Sequence, residues 1–434
     1  MDQRGQRVAV GTVADLEAKG FLTGKAGQLP VVVFRDGETA YAIDDRCPHM
    51  GFPLHRGTVE NGLVTCHWHH ARFDLSSGGT LDPWADDVHA YAVEVDADGN
   101  VVVIVEPPRD HVAYFEDRLA EGLEQGLTLV TAKAVLGLLD AGVAPTAVVA
   151  LGVRYGVRYR AQGWGSGLTV LTAMANLMPH LRPEDRALAL VHGLVFVSND
   201  TRNRPPRFPL GSLGSETVVV DRLIGWYRRF IETRSSDAAE RSLATAISVG
   251  GIDAGGRALV AAATDHVFLD EGHVIDFTNK AFEVVAHLGD AEAAGILPTL
   301  VTMTARAARH EEESDWRHPH DLASMIAAAA ERLPKLLAEG EGRTFPSDAV
   351  AALGWSVLAD DPAAVVQAID DAIVAGATAE QLGRAVAFAA ALRITRFHTQ
   401  NDHGDWDIVH HGFTAANGLH QNLIRFPTPE LLRG

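Results

Sequence analysis

Both cysteines of this 434-residue chain lie within one short segment, and each is followed closely by a histidine. The pattern is Cys47-x-His49, then sixteen residues, then Cys66-x-x-His69. Thiolate and neutral imidazole are both metal ligands, so one cysteine and one histidine from each of two loops predict a shared metal centre. The chain can meet this requirement only if its fold brings the two loop tips together.

Residues 7–107 have the pattern of a small β domain. Short apolar runs rich in β-branched residues alternate with turn residues such as Asp36-Gly37 and the segment 96–100. Runs of this length between turn signals predict hairpins in a small antiparallel barrel or sandwich. The predicted strands include residues 29–34, 40–43, 90–95 and 101–105.

After residue 107 the spacing of apolar residues changes from two to about 3.6, which predicts helices. The clearest helical segments are 129–139, 258–263, 322–337 and 364–375. The prolines of Glu106-Pro-Pro-Arg109 would end a β-ladder and stiffen a linker. We therefore predict a multidomain chain: an all-β domain at 1–107, a linker at 108–111 and a mainly α-helical, histidine-rich domain at 112–434.

The helical part shows weak internal similarity. The segments 256–263 and 383–390 are alike, and each is followed by Asp-x-x-His, ending at His273 and His410. This pattern predicts repeated helix pairs. Segment 372–391 also resembles the helical repeat of carboxymuconolactone decarboxylases and alkylhydroperoxidases; because the cysteines of the peroxidase members are missing, the resemblance implies a packing pattern only. The predicted repeats cover approximately residues 123–234, 235–340 and 347–434.

Charge and composition restrict the partners and the compartment. The formal net charge of -19 disfavours nucleic acid and anionic membrane surfaces, because phosphates would be repelled. No run of 18 uncharged apolar residues predicts a membrane span, and the first residues lack the basic and apolar segments of a signal peptide. Two cysteines cannot form a disulfide framework, so we expect a reducing, cytoplasmic location.

The cysteine and histidine pattern resembles the Rieske [2Fe–2S] family over about residues 7–107. The resemblance implies that Cys47 and Cys66 bind one iron and that His49 and His69 bind the other. The cytochrome-complex branch of the family has an extra cysteine in each loop, which this chain lacks, so the likeness is to the ferredoxin and oxygenase branch. Zinc also accepts two cysteines and two histidines, and is the alternative.

Oxygenases of that branch pair the cluster with a mononuclear iron, bound by Asp-x-x-His-x₄-His on a mixed α/β domain. Here Asp407-x-x-His410 matches the first half of that motif, but position 415 is Ala and long strands are missing. The family's ligands for the second iron therefore cannot be transferred to this chain. Its own histidines, twenty in all, offer a different site.

The helical domain contains three predicted metal ligands, and two predicted catalytic residues accompany them. His192 lies among apolar residues, where a buried imidazole needs a metal or a backbone carbonyl as partner. His273 and Asp276 share one helix face, and the alternative is an exposed helix start. Adjacent histidines point about 100° apart on a helix, so one ligand and one acid or base are expected from that pair. The predicted ligands are His192, His273 and His410, and the predicted catalytic residues are Asp276 and His411.

These features predict a Rieske-type oxidoreductase, specifically a non-haem iron oxygenase. The cluster would pass electrons to Fe(II) in the helical domain, which would oxidise a small organic substrate with O₂. We find no dinucleotide or flavin motif, so a separate ferredoxin or reductase is expected as donor, and the chain is expected to form a homo-oligomer. The alternatives are an electron-transfer or docking protein without a second metal, and a cofactor-free isomerase or decarboxylase.

The segment Gly163-Trp-Gly-Ser-Gly167 lacks the lysine of a phosphate loop and predicts a close helix–helix approach instead.

Overall fold

The computed structural model describes residues 6–26, 29–105, 111–214 and 217–434. Every β-strand in these ranges precedes residue 106, and all of the pairings are antiparallel. The predicted β domain followed by a helical region is therefore confirmed. The strands are β1 Gln6–Thr12, β2 Phe21–Ala26, β3 Leu29–Asp36, β4 Thr39–Asp44, β5 Thr58–Glu60, β6 Leu63–Thr65, β7 Arg72–Asp74, β8 Ala90–Val95 and β9 Asn100–Val105.

The strands form a six-stranded sheet in the order β1-β9-β8-β4-β3-β2 and a three-stranded sheet in the order β5-β6-β7. Tight turns make the two predicted hairpins, with Gly37 at φ 63° and Gly99 at φ 78°, a conformation that glycine adopts without strain. The two edges of the larger sheet approach each other, since a Cβ at Gly24 of β2 would lie 2.4 Å from Cγ1 of Val10 in β1. The larger sheet therefore curls into a barrel-like shape.

A short helix, which the all-β prediction missed, connects β1 to β2. This helix, α1, covers Val13–Lys19. The Thr12 side chain caps its first turn by accepting from the backbone N–H of Asp15, and Gly20 ends it in the left-handed conformation. Only Leu16 of α1 is buried, so the helix adds one apolar side chain to the core of the barrel.

The rest of the chain is helical, and no strand occurs in residues 111–214 or 217–434. The helices are α2 His111–Gln125, α3 Thr128–Asp140, α4 Pro145–Tyr159, α5 Ser166–Leu177, α6 Pro183–Thr201, α7 Val220–Glu232, α8 Ser236–Thr264, α9 His273–Leu288, α10 Ala293–Ile296, α11 Val301–Arg306, α12 Leu322–Gly340, α13 Ala349–Val357, α14 Pro362–Val374, α15 Ala379–Arg396 and α16 His403–Arg425. The extensive helix–helix contacts include those of α5 with α6, α7 with α8, α15 with α16, and α16 with α9.

The chain divides into two compact units, Met1–Val143 and Ala144–Gly434. The first unit therefore includes α2 and α3 as well as the β domain, and extends beyond the predicted boundary at 107. Of the predicted linker 108–111, residues 108–110 lie outside the described residues, and His111 is the first residue of α2. The three predicted repeats stay a prediction.

Among the residues that the structure describes, one helix, α8, is long and apolar enough to cross a membrane by length and composition alone. Its backbone is kinked at Gly251, where φ is 68° and ψ is −161°. In its most apolar 18-residue window, 61% of the residues are buried inside the protein, as in the core helix of a globular fold.

Candidate functional site

The two loops that carry the cysteines and histidines are built in the same way. In the first loop the Cys47 N–H donates to the Phe52 carbonyl (2.8 Å) and the Gly51 N–H donates to the Cys47 carbonyl (2.7 Å). In the second loop, between β6 and β7, the Cys66 N–H donates to the Ala71 carbonyl (2.8 Å) and the His70 N–H to the Cys66 carbonyl (3.0 Å). The residue four positions after each cysteine is left-handed, with φ 84° in the first loop and 63° in the second. Each loop is thus a closed turn that holds its cysteine at the base.

The two loops bring all four predicted cluster ligands together. Cys47 and Cys66 are free thiols with exposed fractions of 3% and 1%. Burial raises the pKa of Cys47 to about 11, and the nearby Cys66 thiol adds to the shift. The rings of His49 and His69 meet edge to face, with their centroids 4.7 Å apart. Two sulfur and two imidazole donors therefore face one small region.

The donors in this region fit a [2Fe–2S] cluster. Nδ1 of His49 is buried and has no hydrogen-bond partner among the described residues, a state that costs free energy unless a metal accepts its lone pair. The two buried thiols would likewise be stabilised as thiolates by iron. When bound, such a cluster takes up and releases one electron at a time. Cys47 and Cys66 would hold one iron, and His49 and His69 the other.

Two neighbouring histidines have partners other than the four predicted cluster ligands. His55 is held by Asp45, whose carboxylate accepts from the His55 backbone N–H (2.8 Å) and lies 2.7 Å from its Nδ1. Nε2 of His67 is 2.7 Å from the Thr58 hydroxyl oxygen. Both contacts tie a cluster loop to residues outside it, so these histidines stabilise the loops.

A charged group from the helices α2 and α3 also reaches the first cluster loop. The Lys133 ammonium donates to the carbonyl of Pro48, between the two ligands of that loop, and lies 3.0 Å from the Asp86 carboxylate. Arg118 donates to the same carboxylate (2.9 Å) and to the Ala85 carbonyl (3.0 Å). These contacts explain why α2 and α3 belong to the first unit. Sequence reasoning missed both cations, because they lie far along the chain from the motif and no local pattern marks them.

We expect Lys133→Met to lower the reduction potential of the cluster. Its positive charge beside the Pro48 carbonyl stabilises an added electron, and removal would leave the Asp86 carboxylate less compensated. The expected fall is on the order of 50 mV, from a charge about 10 Å away at an intermediate dielectric constant. A spectroscopic redox titration measures it. Lys133→Arg keeps the charge and is the matched control; an unchanged potential in Lys133→Met would contradict the role.

Comparison with known proteins agrees with this geometry. The model of the Rieske [2Fe-2S] domain matches residues 6–92. Over 81 residues the chain is 37% identical to the anthranilate 1,2-dioxygenase ferredoxin subunit of Burkholderia cepacia, which covers 18% of this chain and 74% of that protein. The chain belongs to the Rieske family. Membership gives the first unit a [2Fe–2S] cluster and an electron-transfer role, and Rieske proteins work with electron-transfer partners.

Other relatives share only the Rieske segment. Apoptosis-inducing factor 3 of Homo sapiens is 35% identical over 89 residues, which cover 20% of this chain and 15% of that protein. Among solved structures, the ferredoxin of carbazole 1,9a-dioxygenase from Nocardioides aromaticivorans IC177 is 29% identical, covering 23% of this chain and 99% of that chain, with a TM-score of 0.22.

The structure separates the histidines predicted as ligands in the helical unit. His192 is exposed on α6, with its ring tilted against that of Phe196 and the centroids 4.9 Å apart, so the expectation that its apolar neighbours bury it is wrong. His410 is exposed near the start of α16, with its ring 5.5 Å from that of Trp406. His273 is half-buried at the start of α9.

His273 meets the other histidine of the adjacent pair. The ring centroids of His273 and His411 are 4.5 Å apart, and Nδ1 of His411 lies 3.1 Å from a Glu271 carboxylate oxygen. Burial lowers the pKa of His273, and the neighbouring His411 adds to the effect. Asp270 and Glu271 have left-handed backbones, with φ 50° and 56°, which non-glycine residues rarely adopt. Strain of this kind clusters at functional sites.

Asp276, predicted as catalytic, lies one turn after His273 and is 5% exposed. Burial raises the pKa of its carboxyl group to about 6, with Lys280 and His411 opposing the shift. Its surroundings are tight, because a Cβ at Gly418 of α16 would lie 3.0 Å from the Asp276 Cα. Two imidazoles and a carboxyl group that titrates near neutral pH are thus collected where α9 and α16 cross, a set suited to proton transfer. In the described part of the chain, no three His, Cys, Asp or Glu side chains are grouped around one metal ion.

We expect Asp276→Asn to stabilise the helical unit at neutral pH. The folded-state pKa near 6 lies above the ordinary value of 3.8, so the folded protein loses stability as the pH rises through this window and the buried group ionises. The neutral amide avoids that cost, on the order of 3 kcal/mol. Urea unfolding followed by helical circular dichroism at about pH 8 and pH 4 should show the gain only at the higher pH. Asp253→Asn, at an exposed position of α8, is the control, and equal gains at both pH values would contradict the assignment.

Proposed function

We propose that this Rieske protein is an oxygenase. In the proposal, a separate ferredoxin or reductase reduces the cluster, and the helical unit oxidises a small organic molecule with O₂. The observation that supports it is a second group of ionisable side chains, the half-buried His273 and His411 and the buried Asp276, in the unit that is not needed for holding the cluster. A carrier that only shuttles electrons has no use for such a group.

The proposed second metal is Fe(II), whose usual ligands in oxygenases are two imidazoles and one carboxylate. His273 and His411 would supply the imidazoles, and Asp276 or Glu271 the carboxylate. As placed, these side chains do not form a three-donor group, so we derive no step through iron. The residues themselves provide proton transfer: an unprotonated His273 can accept a proton, while Asp276 can hold one up to about pH 6.

Iron counting after anaerobic loading tests the proposal. About two irons per chain belong to the cluster, so about three support an oxygenase. His273→Ala and His411→Ala should each lose the third iron and retain the electron paramagnetic resonance signal of the reduced cluster. His403→Ala, on a side chain that is 95% exposed, is the control. Loss of the third iron in His192→Ala or His410→Ala instead would support the metal ligands that were predicted from the sequence.

The second candidate is an electron-transfer or docking protein whose helical unit binds a partner or small molecule without a metal. The exposure of His192 and His410, which the oxygenase prediction from sequence placed among its ligands, favours it. Two irons in every variant, together with no O₂ consumption in the presence of a reductant, would decide for this candidate. For either function, we propose that the protein is cytoplasmic and forms a homo-oligomer.

A further inference from the structure

A cavity of about 270 Å³ lies beside His273 in the helical unit. One wall comes from the segment between α4 and α5, another from the start of α9, and a third from α11. The first wall contains Trp164, Gly165 and Ser166, part of the glycine-rich motif for which the electron-transfer role gives no reason. The motif therefore borders a space next to the ionisable group at the α9–α16 crossing.

The glycine-rich wall is rigid. Gly163 has φ +83°, and a Cβ there would lie 2.0 Å from the Thr299 carbonyl oxygen. A Cβ at Gly165 would lie 2.3 Å from a carboxylate oxygen of Asp200 and 2.5 Å from the guanidinium carbon of Arg160. Only glycine fits at position 163, and a Cβ at position 165 would displace the Asp200 and Arg160 side chains, so the wall is closely packed and shapes the cavity without a side chain filling it.

Two guanidinium groups line the cavity, and they differ in their contacts with the rest of the protein. Arg160 donates to the carbonyls of Gly163 (2.8 Å) and Trp164 (2.7 Å) and lies 3.4 Å from the Asp200 carboxylate, so it serves the wall itself. Arg306, the last residue of α11, is exposed and forms no hydrogen bond or ion pair with the residues the structure describes. Arg306 is thus the cation available to a ligand.

The remaining walls are of two kinds. Phe277 and Met303 supply apolar surface, and Phe277 is 7% exposed. Asp270 and His273 supply polar groups, held on the strained turn before α9. Because the Asp200 carboxylate already pairs with Arg160, Arg306 is the positive charge of the lining that a ligand's anionic group can approach. A guanidinium fork matches a carboxylate in shape, and the apolar wall requires an organic body.

We propose that this cavity binds a small organic monocarboxylate, with its carboxylate on Arg306, its apolar body against Phe277 and Met303, and its opposite end toward His273. The inference builds on the proposed function, because it names the substrate class of the same site. A doubly charged inorganic anion suits the cavity less well, since the one available guanidinium, the apolar wall and the Asp270 carboxylate would leave it poorly compensated.

Isothermal titration calorimetry of the oxidised full-length protein, without reductant, tests the inference with benzoate as the probe. Benzamide, its neutral isostere, and inorganic phosphate are the comparison ligands. We expect benzoate to bind, Arg306→Gln to weaken it at least about tenfold, and benzamide to bind the unaltered protein about tenfold more weakly than benzoate does. Arg229→Gln, at an exposed position of α7 whose side chain has no partner among the described residues, should bind benzoate like the unaltered protein.

Equal benzoate affinity in Arg306→Gln, equal binding of benzamide, or phosphate binding as tight as benzoate would each overturn the inference. So would the lack of any benzoate binding. The experiment involves neither turnover nor iron, so its outcome is independent of the iron count. Benzoate binding with only two irons per chain would retain the site and reject the oxygenase.

Discussion

Replacing Cys66 by serine is expected to abolish cluster binding and leave the purified protein colourless. The thiol at this position is 1% exposed and lies beside Cys47 at the base of the second loop. A serine hydroxyl ionises far less readily than a thiol and is a poor ligand for iron in a cluster. Cluster iron and acid-labile sulfide should fall from about two of each per chain toward zero, together with the electron paramagnetic resonance signal of the reduced cluster.

His67→Gln is the matched control for that substitution. His67 lies in the same loop, directly after Cys66, but it is not a predicted ligand, and its ring contacts the Thr58 hydroxyl. A glutamine amide can still reach that hydroxyl, so the loop should keep its conformation and the cluster should remain. Retention of a full cluster in Cys66→Ser, or its loss in His67→Gln, would show that the ligands are assigned wrongly.

The cluster site was predictable from sequence because its ligands are rare residue types at a fixed spacing. Cys47 and His49 lie in one loop and Cys66 and His69 in the other, so each half of the site is a local pattern. The predicted hairpins were confirmed for a similar reason: the residues between the strands, such as Asp36-Gly37, favour tight turns. Both features therefore depend on residues that are close to one another in the sequence.

The surroundings of the cluster were not predictable in the same way. Lys133 approaches the Pro48 carbonyl across 85 positions of sequence, and Arg118 approaches Asp86 across 32. Such contacts depend on how α2 and α3 pack, which the period of their apolar residues does not determine. The change of period at residue 107 marks the end of the β domain, whereas the first compact unit continues to Val143.

In the helical unit, the sequence-based predictions failed where they depended on which face of a helix is buried. Apolar residues surround His192 in sequence, yet α6 leaves Leu188 and Phe196 exposed by 72% and 39%, and His192 lies on that same face. On α16, the neighbouring position points about 100° away, which is enough to place His411, and not His410, against His273. Sequence indicated the correct helices, but the rotation of each helix is set by tertiary packing.

The second large effect is expected from His69→Cys, which should keep a cluster but lower its reduction potential. His69 is the exposed one of the two imidazole ligands, and its ring meets that of His49 at 4.7 Å. A neutral imidazole leaves its iron with more positive charge than a thiolate does, so the exchange adds one negative charge at the metal. Because Rieske centres lie well above clusters bound only by cysteine, the fall should be on the order of 300 mV.

A redox titration followed by electron paramagnetic resonance would measure that change, and His67→Cys is the control. It introduces the same thiol into the same exposed loop, at a residue that is not a ligand. Its potential should stay near that of the unaltered protein, because the added thiol remains protonated and outside the iron coordination. If both variants had the same potential as the unaltered protein, His69 would not bind iron. If both fell equally, the effect would come from charge in the loop and not from ligand exchange.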